Sequence, residues 1–225
     1  MKPMNDSHLT ILRRHMVEVV AIHADLASDE IGKSVLDERV LDAMRQVPRH
    51  LFVPPQLAPF AYQDMPLPIG FDKTISQPFI VALMTDILSP QPQESVLEVG
   101  TGLGYQTALL ARLAGHVWSM EVVEEFASHA EELLRSLDYT NVMIRVGDGS
   151  RGWSEHAPFD KIVVSSAAEE APPALLDQLR PGGRLVMPIG PEEMQWLCVF
   201  DKDESGRVSS HDVMAVRFSR LETVT

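Results

Sequence analysis

The stretch Ser95–Leu113, reading S-V-L-E-V-G-T-G-L-G-Y-Q-T-A-L-L-A-R-L, leaves few folds open to this chain. Val96, Leu97 and Val99 form a short apolar run broken only by Glu98. Glycines follow at 100, 102 and 104, and an amphipathic Ala/Leu-rich segment comes next. That order predicts a strand, a glycine turn and a helix. A run this apolar suits a central strand of a parallel sheet, covered on both faces. The glycines supply a turn whose backbone a ligand can approach closely, and the helix directs its free N–H groups at that ligand. A dinucleotide fingerprint requires glycine at 105, where Tyr105 stands. The spacing therefore points away from NAD and toward a smaller nucleoside cofactor.

The remaining periodicities surround this unit with an α/β order. Residues Ser7 to Leu26 place Leu12, Met16, Val19, Val20 and His23 near one helical face, with His23 a partly buried structural residue. A second helix is expected from Val35 to Gln46, closed by Pro48. Pro54, Pro55, Pro59, Pro66 and Pro68 exclude a long helix or central strand from Pro54 to Gly70, which reads as an ordered surface wrap. Helical spacing resumes from Phe79 to Leu88. Beyond the glycine turn the expected strands are His116–Val122, Val142–Val146, Ile162–Val164 and Arg184–Ile189. Helices fall at Glu124–Leu137 and Pro173–Leu179, and a turn at Pro181-Gly182-Gly183. Gln195–Phe200 and Val213–Leu221 remain, joined by a polar hairpin loop from Asp201 to Asp212. Strands alternating with helices predict an α/β, doubly wound, mostly parallel sheet, the closing hairpin adding an antiparallel strand at one edge.

In such a sheet a ligand lies beyond the carboxyl ends of the strands. Three polar signals fall at three successive strand ends: Gly100, Thr101, Gly102 and Gly104 after the first, Glu121 at the second, and Asp148 with Gly149 after the third. An acid at the second can accept from ribose hydroxyls and one at the third from an adenine amino group. The glycine loop suits an amino-acid tail, and S-adenosyl-L-methionine satisfies all three. Each signal also has a plainer explanation, Glu121 as a solvated residue after a strand and Gly147-Asp148-Gly149 as a simple turn.

With 225 residues, 45% hydrophobic and 23% charged, the chain has room for a full α/β sheet. The formal net charge of −13 argues against a nucleic-acid partner, which needs clustered Lys and Arg. Cys198 is the single cysteine, so no intrachain disulfide forms and a reducing, cytoplasmic setting is expected. No apolar run approaches the roughly 20 residues of a membrane span, and no membrane partner is expected. There is no G-x-S-x-G elbow and no H-E-x-x-H, and the eight histidines have no metal-ligand spacing, so no metal is expected.

Several motifs together resemble the protein-L-isoaspartate (D-aspartate) O-methyltransferase family. They are Pro66-Leu-Pro-Ile-Gly70, Thr74-Ile-Ser-Gln-Pro78, the glycine stretch from Val96 to Thr107, Gly147-Asp-Gly149 and Pro181-Gly-Gly-Arg-Leu-Val-Met-Pro188. The resemblance runs from about Val35 to Leu221. The glycine motif alone is common to class I methyltransferases; T-I-S-Q-P joined to P-L-P-I-G narrows it to this family. The resemblance implies a seven-stranded, Rossmann-like class I SAM-dependent methyltransferase sheet with an N-terminal helical cap and its last two strands exchanged relative to the usual order. It implies that Ser76 is the catalytic residue and that Gly100, Thr101, Gly102, Gly104 and Glu121 hold the cofactor, with Asp148 and Gly149 by the adenine. Phe71, Asp72, Ile75 and Gln77 would line the substrate mouth. Asp72 and Lys73 depart from relatives that carry glycine or another small or neutral residue there, and Ser165-Ser166-Ala167 replaces a more usual Thr-Ala-Ala.

The implied activity is methylation of the α-carboxylate of L-isoaspartyl residues in damaged proteins and peptides by a monomer. The expected organisation is a single domain over residues 1–225, with a helical cap at 1–50, a mouth segment at 51–80 and the cofactor core at 81–225. Rival readings are a class I methyltransferase with a dedicated carboxylate acceptor in one partner peptide and a non-catalytic SAM-binding sensor.

Overall fold

Helix α1 (Asp6–Leu26) opens the computed structural model, which describes residues 6–223. The chain divides into two compact units, one up to Asp86 and one from Ile87 onward.

In the first unit α1 buries Met16, Val17, Val20 and Ala24, and is followed by α2 (Ser28–Ile31) and α3 (Glu38–Gln46). α3 starts three residues later than its apolar spacing suggested, because Asp37 caps it, accepting from Arg39 N–H at 2.9 Å. The proline-rich wrap holds two 3₁₀ turns, Arg49–Phe52 and Pro55–Phe60, then a hairpin of β1 (Leu67–Gly70) and β2 (Lys73–Ile75). Phe71 and Asp72 form the hairpin tip at φ 50° and 54°. Two consecutive positive φ values make the primed turn that suits strand twist. α4 (Pro78–Leu88) follows, and the boundary between the units falls inside it.

The second unit is one seven-stranded sheet. Its elements in order are β3 (Ser95–Val99), α5 (Tyr105–Leu113), β4 (His116–Glu121), α6 (Glu124–Ser136), β5 (Val142–Val146), β6 (Phe159–Val164), α7 (Pro173–Gln178), β7 (Leu179–Ile189), β8 (Gln195–Lys202) and β9 (Val208–Val216). The spatial order is β5-β4-β3-β6-β7-β8-β9. β3 to β7 run parallel, and β8 and β9 are antiparallel to their neighbours. The last two strands lie in sequential order at the edge, the exchange that the resemblance implied. One face carries a core of Leu97, Val99, Met120, Ile162, Val164, Leu185 and Met187 with Trp153, Leu175 and Leu179.

Two expectations need correction. The closing hairpin contributes two antiparallel strands, and its loop is short: β9 starts at Val208. Asp203 makes the tight turn by accepting from Ser205 N–H, Arg207 N–H and Ser205 Oγ, with Gly206 at φ 84°. Ser209, Ser210 and His211 are exposed on an edge strand, so no apolar alternation marks them as a strand. Pro181-Gly182-Gly183 is not a separate turn before a strand but an irregularity inside β7, where Leu179 pairs Phe159 and Arg184 pairs Lys161.

Candidate functional site

Parallel strands on both sides of β3 leave the ends of β3, β4 and β5 on one rim of the second unit, and the loop after β3 is built on that rim. Gly100 N–H and Thr101 N–H both reach Met120 O, at 2.8 and 3.3 Å, while Gly100, Gly102 and Gly104 have φ of 96°, 54° and 93°. A side chain at 104 would meet Ala130 and Leu134 at 3.3 Å, so glycine there also lets α5 approach α6. Gly102 N–H donates to Glu121 Oε2 at 2.7 Å, and Val122 and Val123 N–H groups donate to Oε1 at 2.9 and 3.0 Å. Glu121 is thus an oriented, buried carboxyl at the end of β4 rather than a solvated residue. With a single donor, Oε2 keeps a lone pair for a further one.

Asp148 follows β5 and caps a short 3₁₀ turn, its Oδ1 accepting from Ser150 N–H at 3.0 Å and Ser150 Oγ at 2.6 Å. Gly147 N–H bonds Glu121 O at 2.9 Å, which holds this turn against the end of β4. Gly149 is required by space: a Cβ there would lie 2.3 Å from Val99 Cγ1. The glycine loop, Glu121, Asp148 and Gly149 therefore form one constellation.

Beneath the loop lies a polar network that the sequence reading did not single out. Glu98 is fully buried, and its Oε2 accepts from Thr107 Oγ1 and Ser119 Oγ, each at 2.6 Å. Ser119 Oγ is also 2.6 Å from Thr101 Oγ1, which ties the glycine loop to the strand acid. Burial pushes the Glu98 carboxyl up to about 7, against the two hydroxyl donors that hold it down, with the nearby Glu121 charge adding to the rise. Glu98 Oε1 has no partner among the described residues. Gln106, in the first turn of α5, accepts from Ser165 Oγ at 3.1 Å while its Nε2 is buried with no partner among the described residues. The signal for Glu98 was present as an acid inside an otherwise apolar strand; Ser165 stood out only as a departure from the family pattern, and nothing local marked Gln106.

The other group of expected residues belongs to the first unit. Ser76 is half-buried between β2 and α4. Its carbonyl accepts from Arg49 Nη2 at 2.6 Å, and its hydroxyl has no hydrogen-bond partner among the described residues. The hydroxyl is therefore not consumed by the local turn. Ile75 is buried, Gln77 Nε2 donates to Asp64 Oδ2 at 3.0 Å, and Phe71 and Asp72 are exposed at the hairpin tip.

The strand order, the glycine loop and the acids at successive strand ends define a class I SAM-dependent methyltransferase. The sequence matches the family described as Protein-L-isoaspartate(D-aspartate) O-methyltransferase (PCMT) over residues 22–224. It is 52% identical over 219 residues to protein-L-isoaspartate O-methyltransferase 1 of Polaromonas sp. (strain JS666), covering 97% of this chain and 93% of that protein. Protein-L-isoaspartate O-methyltransferase 2 of Syntrophobacter fumaroxidans is 50% identical, over 93% of this chain and 85% of its own length. Among solved structures, a Plasmodium falciparum protein described as a putative protein-L-isoaspartate O-methyltransferase, in complex with S-adenosyl-L-homocysteine, shares the fold at TM-score 0.79 and 24% identity. That alignment covers 93% of this chain and 98% of the other. The chain belongs to the protein-L-isoaspartate (D-aspartate) O-methyltransferase family. Among the described residues no helix is long and apolar enough to cross a membrane.

Proposed function

We propose that this chain transfers the methyl group of S-adenosyl-L-methionine to the α-carboxylate of L-isoaspartyl residues in damaged proteins, and that Ser76 orients that carboxylate. The observation that carries the reading is the family match across residues 22–224, with T-I-S-Q-P and the glycine loop intact. The residues at the rim fit the cofactor chemically. Glu121 Oε2 offers an acceptor to a ribose hydroxyl, and Asp148 with Gly149, at the next strand end, would flank the adenine in this reading. Glu98 Oε1, once the carboxyl is ionised, and Gln106 Nε2, both without partners among the described residues, supply an acceptor and a donor beside the loop, matching the ammonium and carboxylate of an amino-acid tail.

Bound there, the cofactor supplies a methyl group already activated by its sulfonium. The chain's own residues have little proton chemistry to perform. An isoaspartyl α-carboxyl is ionised at neutral pH and needs no general base to become a nucleophile. Catalysis is then placement and exclusion of water. Ser76 Oγ, uncommitted in the turn, donates to one carboxylate oxygen and leaves the other for attack. Methoxide leaves far more readily than the oxide a carboxylate would have to expel, so the following backbone amide nitrogen attacks the ester carbonyl and closes to a succinimide, its proton leaving with the methoxide as methanol. Hydrolysis of that ring returns part of the material to normal aspartate, and repeated rounds complete the repair.

Phe71, Asp72, Ile75 and Gln77 form the mouth in this reading, which admits the flexible segments where such damage collects. We take the chain to act as a cytoplasmic monomer: the single cysteine is a buried free thiol, as a reducing compartment permits, and the reaction calls for no second copy.

The test is transfer of labelled methyl to paired peptides containing L-isoaspartate or L-aspartate, with the parent and Ser76→Ala. Label on the isoaspartyl peptide alone, lost slowly as methanol, is expected. Ser76→Ala should lower kcat by about 10²-fold or more, as removal of a positioned donor does, with cofactor affinity retained. Label on neither peptide, with cofactor bound, would overturn general repair in favour of a dedicated acceptor.

A further inference from the structure

The turn that carries Ser76 is gripped from both sides by charged side chains that methyl transfer does not itself employ. On one side is Arg49, fully buried, whose Nε donates to Ala61 O at 2.9 Å and whose Nη2 donates to Ser76 O at 2.6 Å. On the other is Asp64, its side chain 10% exposed. Its Oδ1 accepts from Phe79 N–H at 2.8 Å, and its Oδ2 accepts from Gln77 Nε2 at 3.0 Å. His23 Nδ1 lies 2.8 Å from the same Oδ2, and since a carboxylate only accepts, Nδ1 carries the proton in that bond. The His23 ring stacks on Phe79 at 3.9 Å between centroids and 12° between planes, closing the back of the cluster.

The chemistry of α4 explains why an acid is needed there. Pro78 opens the helix and has no N–H, so Phe79 presents the first orphan donor. Gln77, in the capping position, is not a residue type that caps well. Its amide turns instead to Asp64, and Asp64 supplies the missing cap from fifteen residues upstream. An anionic acceptor is favoured at a helix N-terminus. The backbone is consequently pinned at the Ser76 carbonyl and at Phe79 N–H, while Ser76 Oγ stays without a partner among the described residues.

We propose that Asp64, backed by Arg49, is a positioning residue for Ser76: it fixes the turn so that the uncommitted hydroxyl meets the acceptor carboxylate. The proposal rests on the reading of Ser76 as the carboxylate-orienting residue. A displacement of about 1 Å at a reacting centre can cost on the order of 10²-fold in rate. Asp64→Ala should therefore lower kcat by about 10- to 100-fold, with the Kd for S-adenosyl-L-homocysteine within about twofold of the parent.

Conservative variants separate positioning from mere support. Asp64→Asn keeps an oxygen for Phe79 N–H and offers Nδ2 to a rotated Gln77 amide, so it should recover turnover to within about fivefold. Asp64→Glu keeps the charge but moves the carboxyl by one methylene. It should lose about tenfold in kcat while folding normally, which keeps the test open if Asp64→Ala does not fold.

The deciding experiment is a double-mutant cycle of Asp64→Ala or Asp64→Glu with Ser76→Ala, read as kcat per folded molecule on the isoaspartyl peptide. If Asp64 acts through Ser76, its substitution costs nothing further once the hydroxyl is gone. Full additivity of the two losses, or unchanged kcat in Asp64→Glu, would overturn the positioning role while leaving Ser76 intact. An unchanged kcat in Ser76→Ala alone would instead remove the Ser76 reading, and the proposal with it.

Discussion

Replacing Glu98 by glutamine should change how stability responds to pH. The Glu98 carboxyl is buried completely and pushed from an ordinary 4.5 to about 7, so between those values the folded chain holds a proton that the unfolded chain releases. Its contribution is full below the unfolded value and is lost as pH rises through the folded one. At 1.36 kcal/mol per unit, a shift from 4.5 to about 7 amounts to about 3 kcal/mol over the whole titration. Most of that falls between pH 5 and pH 8. Glutamine keeps an oxygen for the Thr107 and Ser119 hydroxyls but does not titrate. The unfolding free energy of Glu98→Gln relative to the parent should therefore rise by about 2–3 kcal/mol from pH 5 to pH 8. His116, held low by burial and by its neighbour His156, contributes with the opposite sign in the acid part of this range. It is present in both proteins and cancels in the difference. Urea unfolding followed by tryptophan fluorescence at pH 5, 6, 7 and 8, with equal m-values, reads the quantity directly. A difference that does not vary with pH would refute the reasoning, because it would mean that Glu98 does not gain a proton on folding.

Three further outcomes are expected. Glu121→Gln should weaken S-adenosyl-L-homocysteine binding about tenfold or more in calorimetry, since a hydrogen bond to a charged acceptor contributes about 1.5–3 kcal/mol; an unchanged Kd would remove Glu121 from the cofactor site. Gly149→Ala puts a Cβ 2.3 Å from Val99 Cγ1, so it should destabilise by about 1–3 kcal/mol. Adding Val99→Ala should recover part of that loss, and strict additivity of the two in urea unfolding would count against the clash. Phe71→Asn should raise Tm by a few degrees, because asparagine tolerates the left-handed conformation that costs a bulky residue about 1–2 kcal/mol. A Tm that does not rise would show that the hairpin tip is not strained.

What could be read from the sequence was what the chain encodes locally. β5 begins and ends where its apolar run does, β3 ends with its run and starts one residue before it at Ser95, and the glycine loop sits where the spacing put it. Both follow from a period of two residues and from backbone angles that only some residues adopt. The closing strand was expected from Val213, but the first half of β9 escaped notice because an edge strand with exposed Ser209, Ser210 and His211 needs no apolar face, so its strand character there comes from its ladder with β8. The order of β8 and β9 is a choice of neighbour, which no periodicity records; only the family resemblance anticipated it.

The candidate site divides along the same line. Ser76 could be found from its motif, but what holds it could not, because each partner reaches across the sequence. Asp64 meets Phe79 at a separation of 15 residues, His23 at 41, and Arg49 meets Ser76 at 27. Glu98 illustrates the converse: the acid is visible in an apolar strand, but its meaning depends on Thr107, Ser119 and Thr101 arriving from a helix, a strand and a loop. Had those hydroxyls not converged, the same acid would be an unpaired buried group with a cost of several kcal/mol. Their convergence turns it into a protonatable anchor for the glycine loop. A sequence can thus name the residues that carry the chemistry while leaving unwritten the polar contacts that give each its protonation state and its aim.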